Sequence, residues 1–541
     1  MAQREYNYNN PLDIAEVLSV ANKNKLLSEK QENNDQNLVN EVQKEKDDEN
    51  EEKDYFFKNI IFFTNDRDSK TNKTLKNIEQ AIKGKGINLY PFVAEEITFK
   101  ATDSKIKFND NVNKYTIDDQ SNIDTIVITR LGAQDSNECI ELIKELQDWG
   151  FFVLNPIQEA QKASNKYTSA VLMERYGIPQ PKFTLLVAND IAKGEESLNK
   201  KLKLIYKDLG QDEKADKKKE YVVKILDGHG GTGVFMVTGK TILSILQAIF
   251  AIDPERELLL QKKEEADGGD IRVHVLTLRT EQKILASMKR VKISGDFRSN
   301  VSLGATAEPV TLTEEQKQIA LNVAKISGMP WCAVDIMPLK SGSNPEIGDN
   351  VVLEYNASPG TDGISEVIGE NFMEILFKEI NDINQLVLEP KSIGYLENVY
   401  FTFDENGDDE DEIEFEAKFD TGNGAKASTI GCEKVEQKGH QVIATINGKE
   451  YKFKLEGESN AIVGQVTEDR ATVLIPCLRI GSRKLLNVEF ALVDNRNKKQ
   501  KILINRDVMS KMAYLINPAK KHVLDDDLLY EFNQQKEQNN K

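Results

Sequence analysis

Glu354 and Asn356 stand two residues apart at the end of the apolar run 351–355, which continues into Ala-Ser-Pro-Gly. On a strand, residues two apart point to one face. Both side chains offer hard oxygen donors, the ligand class that magnesium takes. A third such donor, Asp335, lies inside Trp-Cys-Ala-Val-Asp-Ile-Met, a second short apolar strand. Pairing these strands antiparallel would bring Asp335 beside Glu354 and Asn356. Two carboxylates and an amide could then hold magnesium against substrate phosphates. The plainer alternative is a polar strand end before a turn.

Upstream, Tyr-Val-Val-Lys-Ile-Leu at 221–226 runs into Asp-Gly-His-Gly-Gly-Thr-Gly at 227–233, and Val-Phe-Met-Val follows. The glycines fit G-x-G-x-x-G, but a dinucleotide fold needs a helix after them, and here a β-type run follows. No Gly-Lys-Ser/Thr closes the loop, so it is not a P-loop. The pattern predicts a glycine flap between two strands. Its backbone N–H groups, Gly230 and Gly231 among them, could cradle phosphates, with Lys224 as a point charge. A glycine-rich hairpin with a snorkelling lysine is the alternative. Between flap and metal strand come Gly-Gly-Asp-Ile-Arg at 268–272, with Asp270 and Arg272 on one strand face, and Gly-Asp-Phe-Arg-Ser-Asn at 295–300. Arg298 and Asn300 could stabilise charge on a transferring phosphoryl group.

The order of these segments resembles the ATP-grasp ligases, most closely the RimK-type glutamate ligases, over 58–380. The resemblance implies that Lys166 and Lys224 contact ATP phosphates and that Asp270 lies near the ribose. It places Arg298 and Asn300 at the γ-phosphate, and Asp335, Glu354 and Asn356 on magnesium, with manganese an alternative. Arg130, in Ile-Thr-Arg-Leu-Gly, matches a similar Arg-x-Gly of the family. The adenine hinge departs from the family's Gln-Glu-Tyr and reads Gln261-Lys262-Lys263. The implied reaction is attack of a substrate carboxylate on ATP, giving an acyl phosphate that an amine then opens. Positioning and charge neutralisation carry such chemistry.

Beyond about 390 the chain becomes short β-type runs with turns, which predicts a small all-β domain. It contains Ala-Lys-Phe-Asp-Thr-Gly at 417–422 and, later, Lys-Ile-Leu-Ile-Asn-Arg-Asp at 501–507. Over 395–525 this pairing resembles the single-lobe retropepsin-like domains often labelled ATP-dependent zinc proteases, which implies a catalytic role for Asp420. The family's Asp-Thr-Gly-Ala is interrupted here by Asn423-Gly424, and Asn505 replaces a usual glycine. One catalytic aspartate per chain would require a dimer, because an aspartic peptidase needs two carboxylates sharing a proton. A β-domain used only for binding is the alternative. His440, Cys432 and Cys477 show no zinc-ligand spacing.

The elements that must position these residues follow from the whole chain. At 541 residues about three or four domains are expected. The assignment is a polar, acidic leader at 1–56 and an α/β N-terminal domain at 57–155. An α+β ATP-grasp core at 156–390, a retropepsin-like all-β domain at 391–527 and a polar tail at 528–541 complete it. In the first of these folded parts, strands are predicted at 59–64, 123–129 and 151–154, and helices near 71–84 and 136–148. A further helix is predicted from Tyr167 to Tyr176, with Lys166 at its start. The net charge of −18 argues against a general nucleic-acid binder. Four scattered cysteines suggest a reducing compartment. No signal peptide or long apolar run is evident, so a cytoplasmic protein free of the membrane is expected. The acidic stretch 404–412 fails the EF-hand pattern. The expected function is an ATP- and magnesium-dependent ligase adding an amino acid, glutamate-like, to a peptide or protein, in a homo-oligomer that is at least a dimer. A peptidase or a binding protein regulated by the ligase-like part is the alternative.

Overall fold

The computed structural model describes residues 55–524, except 103–104, 119–120, 132–135, 229–231, 292–305, 343, 345–346, 404–411, 464–465, 482 and 495–499. Strand Asn59–Thr64 is buried along almost its whole length, as a parallel strand covered on both faces must be. It pairs in parallel with Asn88–Val93 and Thr125–Thr129, and Phe152–Leu154 completes a four-stranded sheet. Helices Lys73–Ala81 and Asn137–Asp148 start where expected because Asn72 and Ser136 cap them, each accepting a backbone N–H three residues on. An antiparallel sheet of Thr98–Ala101, Lys105–Asn109 and Lys114–Asp118 was not legible in the sequence. Its lysines and threonines face outward and only Phe99, Ile106, Phe108, Tyr115 and Ile117 join the core.

Two antiparallel sheets follow. In the first, strand Glu220–Ile225 lies between Val234–Thr238 and Leu258–Lys262, and Phe183–Leu186 forms the far edge. The glycine segment therefore joins two hydrogen-bonded strands, with no helix after it. In the second sheet the order is Thr306–Pro309, Gln282–Val291, Gly269–Thr277, Trp331–Pro338, Asn350–Asn356. Helix Glu314–Ser327 packs its Ile319, Ala320 and Val323 on this sheet. A Thr313/Gln316 capping box opens that helix and left-handed Gly328 ends it.

The C-terminal part is built on one nine-stranded sheet. Strands Leu396–Thr402, Ile413–Phe419, Ile502–Ile504, Ser428–Cys432, Arg483–Asp494 and Val466–Ile480 pair in that order. Leu396–Thr402 also pairs with Val466–Ile480, so the ring closes into a barrel. Strand Ile413–Phe419 shows why, alternating buried Phe415, Ala417 and Phe419 with exposed glutamate and lysine. Phe401 and Phe490 meet edge-on inside it at 5.3 Å. The acidic stretch 404–412 lies outside the described residues except for Glu412, which pairs with Arg479. No helix among the described residues is long and apolar enough to cross a membrane.

Candidate active site

The second antiparallel sheet lines up charge across four strands. Cross-strand partners are Arg290 with Asp270, Arg272 with Asp335, and Asp335 with Glu354. A bulge at Leu353 shifts the register just before Glu354 and breaks the ladder there. Arg272 clamps Asp335 with Nε on Oδ1 at 2.8 Å and Nη2 on Oδ2 at 2.7 Å. Arg290 clamps Asp270 at 2.6 and 2.7 Å and also reaches Asp335 Oδ2 at 2.8 Å. Burial alone would raise the Asp335 carboxyl, but the Arg272 and Arg290 guanidiniums hold it well below the usual carboxylate range. Asp270, Arg290 and Asp335 are all buried, so this is a desolvated network whose members depend on one another.

Glu354 and Asn356 project from the end of their strand into a cavity of about 330 Å³. Asn356 Nδ2 is buried and finds no hydrogen-bond partner among the described residues. Such an amide is rarely left unused without a ligand to take it up. Asp335 already accepts two N–H groups on Oδ2 and one on Oδ1, leaving Oδ1 a lone pair. The oxygens that fit a divalent cation are the Glu354 carboxylate, the Asn356 amide oxygen and the spare lone pair of Asp335 Oδ1, while Asn356 Nδ2 is a donor left for an acceptor. Asn155 steadies both ligand strands. Its amide donates to Trp331 O at 2.5 Å and Ala357 O at 2.6 Å and accepts from Trp331 N–H at 2.9 Å.

Lys166 lines the same cavity, and the Lys224 charge acts on both Lys166 and Glu354. Lys166 opens helix Lys166–Arg175, whose start Asn165 caps, and its ammonium donates to Gly228 O. Its backbone N–H also reaches Leu226 O at 3.1 Å, tying the helix to the glycine segment. Lys224 is buried in the neighbouring strand. Burial pushes its ammonium down, opposed by Glu354 and reinforced by Lys166. Arg130 follows strand Thr125–Thr129 and lines the cavity, donating to Pro359 O.

Other residues of the expected site make contacts within the protein. Asp270, expected near a ribose, is closed into the ion pair with Arg290, and both its oxygens are used there. The side chains of Lys262 and Lys263, in the expected nucleobase hinge, pair with Glu264 at 3.2 Å and Glu220 at 2.8 Å. Gly230, Gly231, Arg298 and Asn300 lie outside the described residues. Arg290 and Asn155 were missed. Arg290 had a readable signal, because it is an arginine on the strand that a hairpin from Asp270 would lay opposite it.

In the barrel, Asp420 ends strand Ile413–Phe419, its N–H bonded to Ile504 O and its Oδ1 accepting Gly422 N–H at 3.0 Å. Asn505 is buried, caps helix Arg506–Lys511 and donates to Ala425 O and Lys426 O. It thus grips the segment after Asn423-Gly424. Gly424 lies against the Arg506 guanidinium, and a Cβ there would make that flexible side chain shift. A second cavity of about 440 Å³ lies between this segment and that helix, and Asp420 does not line it.

Residues 163–380 match a family model described as a RimK-like ATP-grasp domain. The chain is 32% identical over 256 residues to a "Probable alpha-L-glutamate ligase" of Vibrio atlanticus (strain LGP32), covering 47% of this chain and 75% of that one. It is 32% identical over 254 residues to the protein of the same description from Psychromonas ingrahamii (strain DSM 17664 / CCUG 51855 / 37), covering 47% and 74%. Among solved structures it is similar to D-alanyl-alanine synthetase A from Vibrio cholerae O1 biovar eltor str. N16961, with TM-score 0.43, 15% identity and coverage of 60% of this chain and 97% of that one.

Proposed function

Because the chain belongs to the RimK-like ATP-grasp family, we propose that it is an ATP- and magnesium-dependent carboxylate–amine ligase that adds a glutamate-like amino acid to a peptide or protein. The observation that supports this reading is the cavity that Glu354, Asn356 and Lys166 line together. A substrate carboxylate attacks the γ-phosphorus of ATP, releasing ADP. The amine then adds to the acyl phosphate carbonyl, and phosphate leaves with the proton passed to solvent. Magnesium, when bound, neutralises the phosphate charge that builds during transfer. Glu354, Asn356 and Asp335 would hold it. Arg272 and Arg290 keep Asp335 ionised and fixed, and Lys166 and Lys224 supply positive charge for the phosphates. Incubating the protein with ATP, magnesium and each of the common amino acids, alone and with a peptide, tests this. Phosphate release should depend on an amino acid, and release indifferent to every amino acid and peptide would refute it.

Arg298 is proposed to act on charge that develops during transfer, which predicts a change mainly in kcat. Arg298→Ala should lower kcat by about 10²-fold or more with KM for ATP changed only a few-fold. Steady-state kinetics decide, and a pure KM effect would assign Arg298 to ground-state binding.

A second reading, an aspartic peptidase in the C-terminal barrel, is favoured by one observation. Asp420 ends a strand hydrogen-bonded to Ile502–Ile504 within a closed ring. Activity would need two copies of Asp420, so the chain should dimerise through this barrel, cleave peptides best in mild acid and lose cleavage in Asp420→Asn. Ligase turnover should be unchanged in that variant. A strictly monomeric protein at assay concentrations would leave the barrel a binding domain.

A further inference from the structure

The ligase reading leaves one cation of the cavity without a task. Arg130 extends from the carboxyl end of strand Thr125–Thr129, and Asn65, another residue of the cavity wall, follows the carboxyl end of the adjacent parallel strand Asn59–Thr64. Ligands of parallel sheets bind outside the carboxyl ends of their strands. Both residues precede the segment 163–380 that supplies Lys166, Glu354 and Asn356. The cavity is therefore walled by two separate parts of the chain.

The charge balance around Arg130 calls for an anion. Its guanidinium donates to a carbonyl, Pro359 O, which uses one of five N–H donors. No carboxylate of the described residues pairs with it. Asp335 is engaged by Arg272 and Arg290. Burial pushes the Arg130 guanidinium down to about 10, and the Arg272 charge adds to that. A planar fork facing a cavity with spare donors matches a carboxylate, which it can take bidentately. Phosphate already has Lys166 and Lys224 on the opposite part of the chain.

We propose that Arg130 is the carboxylate-binding residue of this cavity, holding a carboxylate of the amino-acid or peptide substrate against the wall formed by the N-terminal parallel sheet. The assignment rests on the ligase reading for its substrate class. Arg130 fixes the acid by charge and geometry, and Asn65 offers an amide beside it. The wall that reads the substrate is thus separate from the elements that hold nucleotide, so one can change without the other.

The test uses the full chain bound to magnesium and a non-hydrolysable ATP analogue. Two probes are titrated, a short peptide ending in glutamate as the free acid and the same peptide with all carboxylates amidated. The wild type should bind the free acid at least tenfold more tightly. Arg130→Gln should abolish that preference, and Arg130→Lys should keep part of it. Affinity for the ATP analogue should change less than threefold in both variants, which also shows that they are folded. Equal binding of acid and amide by the wild type overturns the proposal, as does absence of binding. A variant that keeps the acid preference but loses analogue affinity assigns Arg130 to phosphate instead and also overturns it. Failure of the ligase reading shows separately, as wild-type protein that prefers the acid yet forms no condensation product.

Discussion

Glu354→Gln should lower ATP turnover by at least about 10³-fold, equivalent to about 4 kcal/mol of lost transition-state stabilisation. The substitution keeps the size of the side chain and one oxygen but removes its charge. Glu354 is the carboxylate of the set that enters the cavity with no clamping arginine, whereas Asp335 is held by two. Its charge is therefore the one most available to a cation. The fold should survive, because Glu354 lies past the bulge and belongs to no buried ion pair among the described residues. Phosphate release under saturating ATP and magnesium checks this. Turnover within a few-fold of wild type would remove Glu354 from the metal set.

Arg290→Met should destabilise the protein by about 3–5 kcal/mol, the cost of leaving a buried carboxylate without its partner. The effect is large because one guanidinium serves two buried acids, Asp270 and Asp335. Urea unfolding should show the loss. Adding Asp270→Asn to Arg290→Met should recover part of it, since one stranded charge is then removed. A loss under about 1 kcal/mol would mean that the network contributes little beyond Arg272. The same network sets a pH dependence. The Asp335 carboxyl is depressed in the folded state, so its contribution is full above the ordinary aspartate range and is lost as pH falls below it. Asp335→Asn should flatten that acid limb of stability.

What the sequence made legible was local. Alternation and spacing placed Glu354 and Asn356 on one face and gave the strand–glycine–strand unit around Lys224, because both depend on the two-residue period of a strand. Antiparallel pairing was enough to anticipate Asp335 opposite Glu354, which the register shows. The parts that escaped depend on partners distant in sequence. Asp270 and Arg272 look alike on one strand face. Only the neighbouring strands decide that Asp270 meets Arg290 and Arg272 meets Asp335. That the Lys262 and Lys263 side chains pair with Glu264 and Glu220 likewise depends on the folded arrangement. The closing of the barrel by Leu396–Thr402 on Val466–Ile480 joins segments that no local pattern links. Asn505 could be marked as a departure from a family's glycine, while its grip on Ala425 and Lys426 needed coordinates.

The central claim is that a substrate carboxylate is activated by phosphoryl transfer before an amine attacks it. Supplying the acid with ¹⁸O in its carboxylate, with ATP, magnesium and the amine substrate, tests that claim most directly. The phosphate released should carry one ¹⁸O from the acid and the condensed product should retain the other, in equal amounts with ADP. Product formed with unlabelled phosphate, or ADP released without any condensed product, would contradict it.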